Sequence, residues 1–131
     1  MMNAFCKTWT LLLPMILSNF TLADELYSIG FGVSDSSWGV VSKSVLDLHG
    51  VPKSAIERMK KILGDGGSIR GIGFTPSGGW GVTYVPMGAD TIHWSASQVP
   101  EGAVDYMNKR TQEGAEILDM AFGPNNSWFV L

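Results

Sequence analysis

Residues that could carry out chemistry are few, and they are scattered along the chain. The two histidines, His49 and His93, have no partners at the spacing of a metal-binding motif. Asp90 lies close to His93, and with a further carboxylate the two could serve a small hydrolase by acid–base chemistry. No nucleophile elbow and no phosphate-binding glycine loop occurs. The sequence therefore favours binding over catalysis and predicts no catalytic residue, no metal site and no cofactor.

A second set of residues suits a binding surface. When the chain is aligned with itself at a shift of 48 positions, Val45 lies opposite His93 and Leu46 lies opposite Trp94. Because one unit accepts aliphatic side chains at these positions, the fold does not require an imidazole or an indole there. Tryptophan and tyrosine are frequent anchors in binding sites. We therefore predict that Trp94 and His93, with Tyr84, form the binding site.

The shift of 48 positions reflects an internal repeat. Residues 51–83 align with residues 99–131 without a gap. The identical pairs include Pro52 with Pro100, Met59 with Met107, Gly66 with Gly114, Phe74 with Phe122, Pro76 with Pro124, and Trp80 with Trp128. A partial copy precedes them, so we divide the chain into a partial copy at 26–50 and copies at 51–98 and 99–131. A period of this size is typical of supersecondary units that bury their apolar faces against each other.

Each unit is predicted to contain a β-hairpin, a short extended run and a helix. In residues 69–75 apolar and small side chains alternate with the period of a strand. Residues 52–63 and 100–113 carry apolar residues at helical spacing and begin with proline, which suits the first helical position. The runs 45–48 and 91–94 are compatible with either a third strand or an extended linker.

The predicted fold class is α+β, with the element order ββ(β)αββ(β)αββ in a single domain spanning residues 24–131. Helices on one face of a twisted antiparallel sheet are the first choice, and a pseudo-threefold arrangement of the hairpins is the alternative. One face of the first strands is rich in glycine, so it either meets another backbone closely or stays open. The element from Phe74 to Trp80 resembles the hairpin turn of β-propeller blades, although the helices and the three hairpins depart from a closed multi-blade ring.

Two further interpretations concern single positions. The tryptophans that recur in every copy, Trp38, Trp80 and Trp128, are interpreted as core residues rather than as sugar-stacking platforms. Asp119 interrupts an otherwise apolar strand and is interpreted as an outward-facing residue beside Ala121.

The N-terminal segment 1–23 is typical of a secretory signal peptide. It carries one cation, Lys7, followed by an apolar run at 9–17 that is too short to span a bilayer. Thr21-Leu22-Ala23 is a candidate cleavage site, and acidic residues follow immediately. We therefore expect a secreted or periplasmic protein.

Removal of this segment leaves 108 residues without cysteine, since Cys6 is the single cysteine of the chain. The formal net charge changes from −3 to −4, which disfavours nucleic acid and anionic membranes as partners. The mature chain contains no second long apolar run, so the sequence predicts no membrane span there.

These observations predict an exported, non-enzymatic binding module that recognises a protein partner or a glycan. The alternatives are a small exported hydrolase that uses Asp90 and His93, and a periplasmic inhibitor or toxin-neutralising protein. The apolar last strand could also present an open edge through which a homodimer forms.

Processing after Ala23 is the first testable prediction. Because the small residue and the following acidic pair define the cleavage site, the exported protein should begin at Asp24. Intact-mass spectrometry of the exported form checks this expectation. An exported protein that retains residues 1–23 would contradict it.

Overall fold

The structure is a computed structural model that describes residues 25–32, 34 and 36–131. The predicted signal peptide at 1–23 lies outside the described residues. The strands are β1 (Leu26–Phe31), β2 (Trp38–Ser42), β3 (Leu46–His49), β4 (Ser68–Phe74), β5 (Trp80–Val85), β6 (His93–Ser97), β7 (Met120–Phe122) and β8 (Trp128–Val130), and the helices are α1 (Lys53–Gly64) and α2 (Glu101–Gln112). The α+β class is therefore confirmed.

The strands of the described residues form three antiparallel sheets rather than one. Sheet A has the order β1-β2-β3, sheet B has the order β4-β5-β6, and sheet C contains β7 and β8. The runs that the sequence left open become the strands β3 and β6. Each hairpin pairs a phenylalanine with a tryptophan across its strands: Phe31 with Trp38, Phe74 with Trp80, and Phe122 with Trp128.

Both helices begin and end close to the predicted positions. Each follows a proline, and each has 12 residues. Gly66 and Gly114, just beyond the helices, have φ of 85° and 87°. Glycine adopts this left-handed conformation at little cost, so these two residues allow the chain to leave the helix and return to the next strand.

Two clusters of buried apolar side chains hold these elements together. The larger one joins α1 to sheets A and B, with Met59 and Ile62 of the helix packed among Val41, Ile72 and Val82. The smaller one joins α2 to sheet C, and its buried members are Met107, Ile117 and Met120. Each helix thus buries its apolar stripe against strands, as amphipathic helices in α+β folds do.

The first strands of the three sheets lie against each other at glycine positions. A Cβ atom added to Gly30 of β1 would lie 3.1 Å from the carbonyl oxygen of Ile72 in β4. A Cβ atom added to Gly73 of β4 would lie 2.5 Å from the carbonyl oxygen of Met120 in β7. The sequence predicted that the glycine-rich face either meets another backbone or stays open, and the structure shows the close backbone contact.

The three recurring tryptophans are not equally buried. Trp80 is 6% exposed, and its indole N–H donates a hydrogen bond to Ser54 of α1 over 2.9 Å. Trp128 is 38% exposed, so its interpretation as a core residue was wrong. In the described chain Trp80 has a neighbour in β6, whereas β8 is paired with β7 alone. In addition, α2 carries Gly102 at the position that Ser54 holds in α1, so it offers the second indole no hydroxyl.

This difference predicts unequal losses of stability. Trp80→Ala should lower the free energy of unfolding by about 3–5 kcal/mol, because it empties an enclosed site. Trp128→Ala should cost only roughly 1–2 kcal/mol, because much of that ring is in solvent. Urea titration of both variants measures the difference. Equal losses would show that the second indole is as well enclosed as the first.

Candidate functional site

Two of the three predicted binding residues form a pair on one face of sheet B. Tyr84 of β5 lies opposite His93 of β6 in the strand register. Their ring centroids are 6.0 Å apart, and the imidazole of His93 is exposed. Arg58 of α1 completes the group, because its guanidinium lies over the Tyr84 ring at 5.5 Å and Nη2 donates a hydrogen bond to the phenol oxygen over 3.0 Å.

The third predicted residue, Trp94, lies on the opposite face of the same sheet. Neighbouring residues of a strand point to opposite faces, and Trp94 is paired with Thr83 rather than with Tyr84. Its ring packs against the α2 cluster, and its indole N–H donates a hydrogen bond to Thr111 over 3.1 Å. The structure thus brings together Tyr84 and His93 and separates them from Trp94.

The carboxylate proposed to assist His93 in the hydrolase alternative is exposed. Asp90 lies in the connection between β5 and β6, and neither Asp90 nor His93 lines the small apolar cavity described below. Within the described residues, no group of three His, Cys, Asp or Glu side chains could hold a metal ion. In the same part of the chain, neither helix is long and apolar enough to cross a membrane.

Asp119 has a different environment from the one that the sequence indicated. Its carboxylate accepts hydrogen bonds from the Ser28 hydroxyl at 3.2 Å and from the backbone N–H of Met120 at 2.9 Å. Ser28 also accepts a hydrogen bond from the backbone N–H of Ile72. A Cβ atom on Gly71 would lie 2.6 Å from an oxygen of Asp119, so this glycine makes room for the carboxylate. Residues from all three sheets therefore meet here.

Burial raises the pKa of Asp119 above its usual value, because the charged carboxylate loses hydration between the strands. The hydrogen bonds from Met120 and Ser28 favour the charged form and offset part of that effect. The carboxyl group therefore binds its proton more tightly in the folded chain than in the unfolded chain.

The three first strands also line a small apolar cavity that is open on one side. It has a volume of about 130 Å³ and is lined by residues 29–31, 72–74 and 120–122. The wall formed by β1 is exposed, since Ile29 is 48% and Phe31 is 73% exposed. Ile72 and Phe74, at the equivalent positions of β4, are buried. The difference arises because β1 covers that face of β4, whereas no described strand covers the same face of β1.

The free side of β8 is a further exposed feature. Leu131 exchanges backbone hydrogen bonds with Asp119 and accepts one from the N–H of Leu118, and Ser127 accepts one from Gly123. Because backbone groups alternate in direction along a strand, those of Trp128 and Val130 point away from β7. The side chains of Phe129 and Leu131 are 59% and 61% exposed. This edge is therefore apolar, and no strand of the described chain pairs with the outward backbone groups of Trp128 and Val130.

Sequence reasoning missed Arg58 and Ser28 as parts of these sites. A signal for Arg58 was present: it lies four residues after Ser54, so both project from the same side of α1 towards sheet B. No comparable signal existed for Ser28, because its contact with Asp119 spans 91 positions.

No family model matches the chain, and neither a curated protein nor a solved structure matches it.

The raised pKa of Asp119 predicts a pH dependence of stability. Between the usual carboxyl pKa and the raised value, the folded chain binds more protons than the unfolded chain, so the free energy of unfolding falls as the pH rises through that window. Asp119→Asn should remove this fall while keeping a hydrogen-bond acceptor. Urea titrations across acidic pH test the prediction, with Asp90→Asn as a control for loss of one exposed charge. A variant at position 119 that keeps the wild-type pH profile would contradict it.

Proposed function

We propose that the chain is an exported, non-enzymatic binding module and that it recognises a protein through the free edge of β8. The observation that carries this proposal is the combination of outward-pointing backbone groups at Trp128 and Val130 with exposed apolar side chains. An extended segment of a partner would pair with this edge as a third strand. Export is proposed from the signal peptide that the sequence predicts at residues 1–23.

The other two sheets support this mode of binding. In sheet A, β3 pairs with the outer side of β2, and in sheet B, β6 pairs with the outer side of β5. Both added strands are antiparallel and short, with four and five residues. Sheet C has the two inner strands of this plan, so a partner strand would give it the same three-stranded form.

The composition of the edge also favours pairing. Proteins commonly protect an exposed edge with charged side chains or proline. The outer strands β3 and β6 contain Asp47, His49 and His93, whereas residues 120–131 carry no charged side chain and β8 contains no proline. The β8 edge therefore lacks the features that would prevent association.

A protein partner fits better than a glycan. Sugar recognition uses flat, open aromatic faces and polar side chains that bind hydroxyl groups, and β8 offers backbone groups and apolar side chains instead. Of the aromatic residues at the predicted site, Tyr84 already contacts Arg58 and His93 with its ring, and Trp94 packs against the α2 cluster.

A second copy of this chain is the simplest partner. If two β8 strands pair antiparallel about a twofold axis through Phe129, then Trp128 of each lies opposite Val130 of the other. Aromatic and β-branched residues form favourable cross-strand pairs. The arrangement is self-complementary, as a twofold interface requires.

The same proposal includes the arrangement of the hairpins as copies of one unit about a pseudo-threefold axis. It is supported by the cavity that corresponding residues of β1, β4 and β7 line together, and by the close contacts at Gly30 and Gly73. In this arrangement the sheets radiate from the first strands, and the edge of β8 lies on the outside.

The test uses a variant that blocks the edge. Val130→Pro removes an outward-pointing N–H and leaves the hydrogen bonds to β7, so the fold should tolerate it. We expect the wild-type chain to form dimers in concentration-dependent sedimentation and to capture protein from an exported fraction, and we expect Val130→Pro and Phe129→Lys to lose both. Leu26→Lys, at a position of β1 that is 55% exposed and away from the edge, serves as the control and should retain them.

The proposal fails if Val130→Pro and Phe129→Lys associate like the wild type. It also fails if the chain binds immobilised glycans but neither dimerises nor captures protein from the exported fraction.

A further inference from the structure

A groove beside Tyr84, between α1 and sheet B, has the features of a ligand site. It lies between the last turns of α1 and the end of β5 and has a volume of about 320 Å³. Its walls are formed by Arg58, Ile62, Asp65, Gly67, Tyr84, Pro86 and Met87. The groove thus joins an apolar wall to a guanidinium and a phenol, which is typical of sites for small amphipathic ligands.

Arg58 supplies the positive charge of this groove and has no acidic partner among the described residues. Its side chain is half-buried, and no described carboxylate lies within ion-pair distance of it. The nearby carboxylate of Asp65 is paired with Lys61 at 3.0 Å. Nε of Arg58 is buried and has no hydrogen-bond partner among the described residues. A half-buried guanidinium whose charge has so few partners is stabilised when an anion binds to it through charge-assisted hydrogen bonds.

The position of the guanidinium is fixed by Tyr84. The hydrogen bond to the phenol oxygen and the contact with the ring hold Arg58 against the wall of the groove. A donor that is already held in place loses little conformational entropy when it binds a ligand. Arginine also suits carboxylates in particular, because its planar group can donate two parallel hydrogen bonds.

Met87 forms the apolar rim opposite this charge. It is 77% exposed and lies over Gly66, where an added Cβ would be 2.7 Å from its sulfur atom. Gly66 has φ of 85°, so both its backbone and its neighbour favour glycine at this position. Methionine side chains adapt to varied apolar shapes, which suits a rim that closes on a ligand.

We propose that this groove binds a carboxylate attached to a compact apolar group. The carboxylate accepts hydrogen bonds from Arg58, and the apolar group lies on Ile62, Pro86 and Met87. A free branched-chain acid and the carboxyl end of a peptide with an apolar last residue share this chemistry. The site is separate from the β8 edge and does not depend on the proposed function.

The test is an NMR titration of the full chain with matched probes. Isocaproate represents the free acid, N-acetylleucine represents a peptide end, and isocaproamide and N-acetylleucinamide are their neutral counterparts. We expect resonances of Tyr84 and Met87 to shift with the acids, and we expect each amide to bind about tenfold more weakly or worse, because a charge-assisted hydrogen bond is lost. A response to one acid alone identifies the source of the ligand.

Two variant pairs connect binding to the groove. Arg58→Gln should abolish binding of the acids, whereas Lys53→Gln, which removes a charge from an exposed residue of the same helix, should not change it. Because Arg58→Gln could also weaken the fold, Met87→Asp provides a second variant at an exposed position. It should repel the acids, while the neutral Met87→Asn should still bind them.

Equal binding of acids and amides would overturn the proposal. Unchanged binding of the acids by both Arg58→Gln and Met87→Asp would overturn it as well, and so would the absence of any shift up to the solubility limit of the probes.

Discussion

The contact between the first strands of the three sheets is the constraint on which the other features depend. β1 contacts β4 at Gly30, and β4 contacts β7 at Gly73. In both places a backbone carbonyl of the neighbouring strand lies where a side chain at the glycine would need space. Only glycine permits backbones to approach so closely. The cluster of α1 joins sheets A and B, and the cluster of α2 contains Met120 of β7, so both apolar clusters include strands that take part in this contact.

The same contact explains where the polar and exposed groups lie. Asp119 lies beside Gly71, where a side chain would press on its carboxylate, and accepts a hydrogen bond from Ser28. Partial burial at this place raises the pKa of the carboxyl group. Two surfaces stay uncovered in the described chain. One is the apolar face of β1, where Phe31 is exposed, and the other is the edge of β8 in sheet C, where we propose that a partner strand pairs.

Local patterns predicted the elements well, because they depend on neighbours in sequence. The helices after Pro52 and Pro100 and the hairpins around Trp80 and Trp128 follow from periodicity and turn residues. Contacts between units could not be predicted in this way. The environment of Asp119 and the ring contact of Arg58 with Tyr84 depend on how distant segments meet. The exposure of Trp128 departs from the prediction because the copies are unequal: the second indole has neither a third strand nor a serine beside it.

The most direct measurement of the central claim is the free energy of unfolding of Gly73→Ala compared with Gly64→Ala. A Cβ at position 73 would press on the carbonyl of Met120, so we expect a loss of roughly 1–3 kcal/mol or more. A Cβ at position 64, at the end of α1, would have no atom within 4 Å, and alanine favours the helix, so stability should stay the same or rise. If both variants unfold at the wild-type urea concentration, the first strands are not in close contact and the account is contradicted.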